Sequence, residues 1–324
     1  MNHTVARAIA LCVLAAAPLM VSAQAYPEKP ITMVVPFPPG GSTDVIGRLF
    51  AAKLGARLGQ TVVIENKPGA NTGIGATAVA RAAPDGYTLM ITGAPTFTSN
   101  PLLYPNLSYD PIKSYEYVAV AGSTPFVILT NPQSGIGTVA DITTKSAAQP
   151  LSFGSFGNGS TPHMAGESLA QRTGAKLLHV PYRGSAPAMT DLIGNQIPLS
   201  IDTLVAGLPQ IKAGKVRAVA LTGRARSPLV PDVPTVAEGG VAGYDFETWF
   251  GVVMPKGTPA PIVARMSKEI EAVMAEPDTR AKLQDLGFDA TYQDPAAFRR
   301  KVETELERKN ATRAFLYRSK WAVG

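Results

Sequence analysis

Short β-type runs alternate with helix-length stretches along most of this chain, and few folds accommodate that order. Runs at 31–35 (ITMVV), 61–66 (TVVIEN) and 87–92 are separated by helical sequence. So are those at 126–130, 151–156, 176–180, 197–202, 217–222 and 248–254. Strands that alternate with helices pair in parallel through right-handed crossovers, which predicts an α/β architecture. The helix at 45–59 carries Ile46, Phe50, Leu54 and Leu58 on one face. Further helices are expected near 75–83, 138–148, 162–173, 185–194 and 205–213, and the tail is helical. In that tail Asp294 and Pro295 form an N-cap and first-turn pair, and Phe298, Val302 and Leu306 make a buried stripe. The proline-punctuated segment 100–111 is expected to be exposed and irregular.

Residues 1–25 stand apart from this pattern. Arg7 precedes the apolar run 8–17, and Ala23-Gln24-Ala25 is an A-x-A cleavage pattern. This reads as a secretory signal peptide cleaved after Ala25, too short to span a membrane permanently. Cys12, the single cysteine, lies inside it, so the exported chain is expected to carry no thiol, disulfide or thiolate metal site. Without Arg7 there are 29 basic against 24 acidic residues, spread along the chain, and no nucleic-acid motif.

The remaining strands and helices form two α/β units joined near 122–126 and again near 243–248. The expected domains are 26–124 with 246–324, and 125–245 inserted between them. Two connecting segments make a hinge that permits closure while limiting twist.

The chemistry is expected at strand ends. In PFPPGGSTD (36–44), Pro38 and Pro39 stop the strand after Phe37, Gly40 and Gly41 permit a tight turn, and Ser42 or Thr43 can cap the helix. Unpaired N–H groups and the positive helix end, with Asp44 in its first turn, make a site for an anion there. Loops 68–75 (PGANTGIG), 93–98 (GAPTFT) and 154–163 (GSFGNGSTPH) repeat this glycine–hydroxyl chemistry, and none of the four contains lysine or arginine. In the last of them Thr161 is expected as N-cap and Pro162 as the first helical residue. Arg183 is the nearest cation, with a surface role equally open. Asp202, ending the run LSIDTL, either faces the cleft or caps the next helix through Thr203. Trp249 and Phe250 read as core.

Enzyme motifs mostly fail. The loosened dinucleotide patterns at 73–78 and 135–140 lack the following acidic residue, Gly214-Lys215 lacks the Ser/Thr of a P-loop, and Ser155 sits in FGSFG rather than G-x-S-x-G. His163 and His179 have no metal-binding partner at i+3 or i+4. An alternative from another class is a cleft hydrolase of small esters or amides using Ser160, His163 and Asp202.

PFPPGGSTD, NKPGANTGIGA, PDGYTLMIT, GSFGNGSTPHMAGE, HVPYRGSAPAMTDLIGNQI and DVPTVAEGGVAGYDFETWFG, in this order, resemble the periplasmic receptors of tripartite tricarboxylate transporters, the Bug-type receptors. The resemblance spans essentially the whole exported chain. It implies a type II periplasmic-binding-protein fold: two α/β domains, a ligand cleft between them and a two-strand hinge. It also implies a non-catalytic periplasmic receptor, a monomer without cofactor, that binds a small carboxylate and delivers it to membrane transporter subunits. Amino acids, di- and tricarboxylates and aromatic acids are all within the family's range. The loops matching Gly40 to Asp44 and Gly157 to His163, including Asn158, Ser160 and Thr161, are implied to hold the carboxylate. Thr96 and Asp202 are implied to lie near it. Phe97 stands where many relatives have histidine, which is expected to make the pocket less polar.

Overall fold

The computed structural model describes residues 26–311. The signal peptide expected at 1–25 and the end of the first domain at 312–324 lie outside these residues. Among the described residues there are nine strands: β1 (Ile31–Val35), β2 (Val62–Asn66), β3 (Thr88–Thr92), β4 (Tyr115–Thr130), β5 (Leu151–Ser155), β6 (Leu177–Pro181), β7 (Leu199–Thr203), β8 (Arg217–Leu221) and β9 (Glu247–Pro255). They follow the order β2-β1-β3-β9-β4-β7-β5-β6, with β8 also on β4. β1 pairs in parallel with β2 and β3, and β5 with β6 and β7, as the alternation requires. β9 runs antiparallel between β3 and β4.

β4 joins the two halves. Its Tyr115–Pro125 stretch pairs with β9, and Phe126 to Thr130 pair with β7 and β8. Lobe I therefore holds β1–β3, β9 and the first part of β4, and lobe II holds β5–β8 and the rest of it. Only 126–130 of this strand was expected. At Gly122, φ is 128°, and a Cβ would come within 2.2 Å of the Asp289 carbonyl oxygen. That approach lets β4 pass close beneath the 288–289 turn.

Strand residues alternate between two helical layers. In lobe I, Ile31, Met33 and Val35 point to a core shared with α1 (Ser42–Leu58) and α8 (Ala260–Ala275). Val34 points the other way, toward α2 (Gly73–Ala80) and the tail helix α10 (Pro295–Ala311). In lobe II, Phe126 and Ile128 face α4 (Val139–Ala148) and α5 (Thr161–Thr173), while Val127 and Leu129 face α6 (Ser185–Ile193) and α7 (Leu204–Lys212). The expected apolar face of α1 is buried at all four positions, and Phe298 and Val302 anchor α10. Between β9 and the tail the chain adds α9 (Pro277–Asp285) after α8.

The segment after β3 is more ordered than its sequence suggests. A π-turn at Pro95–Ser99 leads into the single helical turn α3 (Asn100–Leu103). Asn100 is buried and donates to the Asn71 carbonyl at 2.7 Å and to Tyr109 Oη at 3.0 Å. Tyr109 Oη in turn donates to the Thr96 carbonyl at 2.7 Å. These bonds pin both ends of a segment expected to be exposed and irregular.

Candidate functional site

The lobes face each other across a cavity with about 490 Å³ of empty space, its open mouth included. Lobe I contributes Phe37, Pro38, Gly41, Ser42 and Thr43 around the start of α1, with Pro95 and Thr248 beside them. Lobe II contributes Phe126 from β4, Phe156, Ser160, Thr161 and Pro162 before and in α5, Ser185 at α6 and Thr203 at α7. Among the described residues, no charged side chain lines this cavity. Four helices, α1, α5, α6 and α7, thus begin at its wall, each presenting N–H groups with no partner in its own helix.

At α1, neither Ser42 nor Thr43 is the cap. Gly41 occupies that position without a side-chain bond, and Ser42 and Thr43 form the first turn. Asp44 instead closes the turn before α1, accepting from the Gly40 N–H at 3.0 Å, from Arg48 Nε at 2.9 Å and from Asn66 Nδ2 at 2.9 Å. Burial opposes the Asp44 anion, but these bonds outweigh it and hold the carboxyl below its ordinary range.

At α5 the cap lies one residue earlier than expected. Ser160 Oγ accepts from the His163 N–H at 3.4 Å and donates to the Gly157 carbonyl at 2.7 Å. Thr161 is therefore the first helical residue and Pro162 the second. Thr161 Oγ1 is buried and has no hydrogen-bond partner.

Asp202 lies behind the wall rather than in it. Its carboxylate accepts from Ser185 Oγ at 2.7 Å and from the Thr203 N–H at 2.7 Å, tying the starts of α6 and α7 together. The side chain is fully buried, and that burial pushes its pKa up to about 7 against the pull of the Ser185 and Thr203 bonds. Thr203 itself is the cap of α7, accepting from the Ala206 N–H at 3.3 Å.

The histidines form a stacked pair, ring centroids 3.6 Å apart and planes 13° from parallel. His163 Nδ1 accepts from the Gly159 N–H at 3.0 Å, and His179 Nε2 lies 2.6 Å from Ser155 Oγ. Burial holds His163 down at about 3, with His179 adding to the effect, and His179 at about 4, so both rings are neutral near pH 7. Ser160 donates to a backbone carbonyl, His163 Nδ1 accepts from backbone, and Asp202 is engaged with Ser185 and Thr203.

Of the expected binding residues, Phe37, Gly41, Ser42, Thr43, Ser160 and Thr161 line the cavity. Gly40, Asp44, Gly157, His163 and Asp202 shape the turns behind it, and Asn158 is exposed. Thr96 is fully buried, its hydroxyl 2.6 Å from Thr92 Oγ1 and 2.7 Å from Thr72 Oγ1. Phe97 does not face the cavity. It is fully buried, 5.7 Å from the Trp249 ring in a stacked arrangement and 5.6 Å from Phe298, so its effect falls on the lobe I core. Trp249 and Phe250 are core, as read. Arg183 is exposed and outside the lining. Phe126, Phe156, Ser185, Thr203 and Thr248 were missed as lining residues. Gly184-Ser185 before α6 carries the same glycine–hydroxyl signal as Gly41-Ser42.

The lobes touch on both sides of the cavity. A Cβ on Gly184 would lie 2.9 Å from Pro38 Cδ, and one on Gly159 would lie 2.1 Å from Leu103 Cδ1. Neither glycine has room for a side chain at this separation.

The chain matches the Tripartite tricarboxylate transporter family receptor over residues 46–313. Protein BugT of Bordetella pertussis is 38% identical over 261 residues, covering 78% of this chain and 79% of BugT. Among solved structures, an R. palustris protein with adipate superposes with a TM-score of 0.86 at 35% identity, covering 88% of this chain and 96% of that one. MatC from Rhodopseudomonas palustris with bound malate gives a TM-score of 0.83 at 32% identity, covering 89% and 100%.

Proposed function

Since this chain belongs to the tripartite tricarboxylate transporter receptor family, we propose that it is a periplasmic, non-catalytic receptor. It captures a small organic carboxylate in the cavity between its lobes and delivers it to the membrane subunits of a tripartite tricarboxylate transporter. The observation that carries this reading is the convergence of four helix starts on one cavity that no lysine or arginine lines. Such a site holds an anion by N–H groups, hydroxyls and helix dipoles, and releases it without breaking a salt bridge. Solved relatives with adipate and malate support a carboxylate as cargo.

The domains divide at 26–124 with 246–324 and 125–245. The lobes hinge within β4 near 122–126 and in the segment near 243–248 that leads into β9, and the mature monomer begins after Ala25. Among the described residues, no helix is long and apolar enough to cross a membrane. The test is to denature the exported protein and identify released small molecules by mass spectrometry, alongside calorimetry with carboxylates. An unmodified, stoichiometric acid supports the receptor. Turnover of an added ester or amide would replace it with the hydrolase. Intact mass of the same sample checks the cleavage site, and retention of Cys12 would refute it.

A further inference from the structure

Ser185 and Asp202 form a pair whose outer member lines the cavity and whose inner member is sealed behind it. Ser185, the first residue of α6, lies opposite the start of α1: a Cβ on Gly41 would come 3.6 Å from the Ser185 Cβ. Its Oγ donates to Asp202 Oδ2 at 2.7 Å. Among the described residues this is the one hydrogen bond the hydroxyl makes, so beside an ionised Asp202 it turns only lone pairs toward the cavity. A carboxylate also offers only lone pairs. An anion arriving there meets an acceptor, with a buried negative charge directly behind it.

A proton on Asp202 would reverse this. Oδ1 accepts from the Thr203 N–H at 2.7 Å, with Thr203 Oγ1 at 3.4 Å, and an N–H cannot accept in return. The proton therefore belongs on Oδ2, where Ser185 Oγ is the acceptor in contact. With Oδ2–H donating to Oγ, the hydrogen of Ser185 itself is free to point into the cavity.

No cation among the described residues offsets Asp202. The neighbouring strand segments, Phe126 to Thr130 of β4 and Leu151 to Ser155 of β5, carry no charged side chain. Arg217 of β8 pairs with Thr130, which faces Leu199 at the other end of β7. Before and on α6, Arg183 is exposed and Asp191 is bonded to Tyr182 Oη at 2.7 Å. On α7, Lys212 lies in the last turn. His163 of α5 and His179 of β6 are neutral near pH 7, with Glu167 Oε1 3.8 Å from His163 Nε2. In lobe I, Asp44 is held ionised by Arg48, Asn66 and the Gly40 N–H. Burial already brings Asp202 to about 7 in the free protein, and a ligand charge raises it further, because like charges oppose a second ionisation.

We propose, resting on the receptor reading above, that a carboxylate enters the cavity together with one proton: Asp202 Oδ2 takes the proton, and the Ser185 hydroxyl turns to donate to the ligand. The proton passes through the pair. Ser185 gives its hydroxyl hydrogen to Oδ2 and takes another from water on the cavity side, for a net uptake of one H⁺ from solvent. Ser185 is thus a donor to the cargo only while Asp202 is protonated, and loss of that proton weakens the hold.

Calorimetry of the mature protein at pH 8, in HEPES and in Tris, reads the proton, because the two buffers give it up with different heats. Adipate, malate and hexanoate are the probes; where none binds, the acid released from the exported protein on denaturation takes their place. The wild type is expected to take up about 0.5–1 proton per ligand at pH 8, and to bind about tenfold more weakly at pH 9 than at pH 7. Asp202→Asn, whose amide donates to Ser185 as the protonated acid does, is expected to bind without proton uptake. At pH 9 it should keep the affinity the wild type has at pH 7. Ser185→Ala is expected to weaken binding about tenfold at pH 7. Wild-type binding with no proton uptake overturns the inference and leaves the receptor reading standing. Uptake that persists in a folded Asp202→Asn protein also overturns it, since the proton then resides elsewhere, the stacked histidines first. A folded Ser185→Ala protein of wild-type affinity overturns the role of the hydroxyl. Release of no acid and binding of no probe removes the receptor reading itself, and the inference with it.

Discussion

Replacing Asp202 with asparagine measures what it costs to keep a carboxyl group in the interior of lobe II. The side chain is fully buried, and its pKa rises from the ordinary 3.8 to about 7, chiefly through loss of hydration. In the unfolded chain Asp202 loses its proton near 3.8, whereas in the folded chain it keeps the proton until about 7. Between those values the native state binds the extra proton, so stability falls as pH rises through the window. Above it the full cost is about 4 kcal/mol, and more than half of that develops between pH 5 and pH 8. Asparagine has nearly the same shape, does not titrate, and can still accept from the Thr203 N–H while its amide donates to Ser185. Urea unfolding of both proteins at several pH values, ligand-free, gives the difference in stability, and subtraction cancels every other titrating group. The variant's advantage should grow by roughly 2–3 kcal/mol from pH 5 to pH 8. A difference that stays flat with pH would mean that Asp202 ionises alike in both states, the two helix starts beside it offsetting burial.

Three further outcomes follow from the geometry. Gly184→Ala, at φ 140° and facing Pro38 at 2.9 Å, should hold the lobes apart; small-angle scattering should show ligand-induced compaction in the wild type and little in the variant. The stacked histidines have folded pKa values of about 3 and 4 against an ordinary 6.5, so the native state binds fewer protons and stability should fall as pH drops below about 6.5. His179→Phe, which keeps the stack, should flatten that acid limb in thermal melts at pH 4 and pH 7. Arg183→Gln should leave affinity within about twofold of wild type by calorimetry, because the side chain is exposed and outside the lining; abolished binding would refute the dipole account.

The strands legible in the sequence are those whose burial is decided locally. Ile31, Met33 and Val35 fill one core and Val34 another, so a continuous apolar run is what the position demands. The first half of β4, Tyr115 to Ala121 (YEYVAVA), is itself a β-type run that went unread; pairing with β9 then carries the strand through Gly122 to Pro125, where a junction between lobes was expected. The cap of α5 was misplaced by one residue because Ser160 and Thr161 offer the same chemistry beside Pro162. Only the Gly157 carbonyl and the His163 N–H distinguish them. Phe97 was misread because the π-turn at Pro95–Ser99 aims it away from the cavity, into Trp249 and Phe298. Phe126 and Phe156 escaped notice for another reason. Their role depends on how lobe II faces lobe I, which no local spacing encodes.

The same arrangement bears on how the lobes would meet around a bound anion. Four helix starts face one cavity, each with N–H groups that have no partner in its own helix. Asp44 and Asp202 brace the turns beside them, through Arg48 and Asn66 in one case and Ser185 and Thr203 in the other. Gly159 and Gly184 let the lobes approach closely at Leu103 and Pro38. Closure there would shield a bound anion from water and strengthen the hydrogen bonds it makes to those N–H groups.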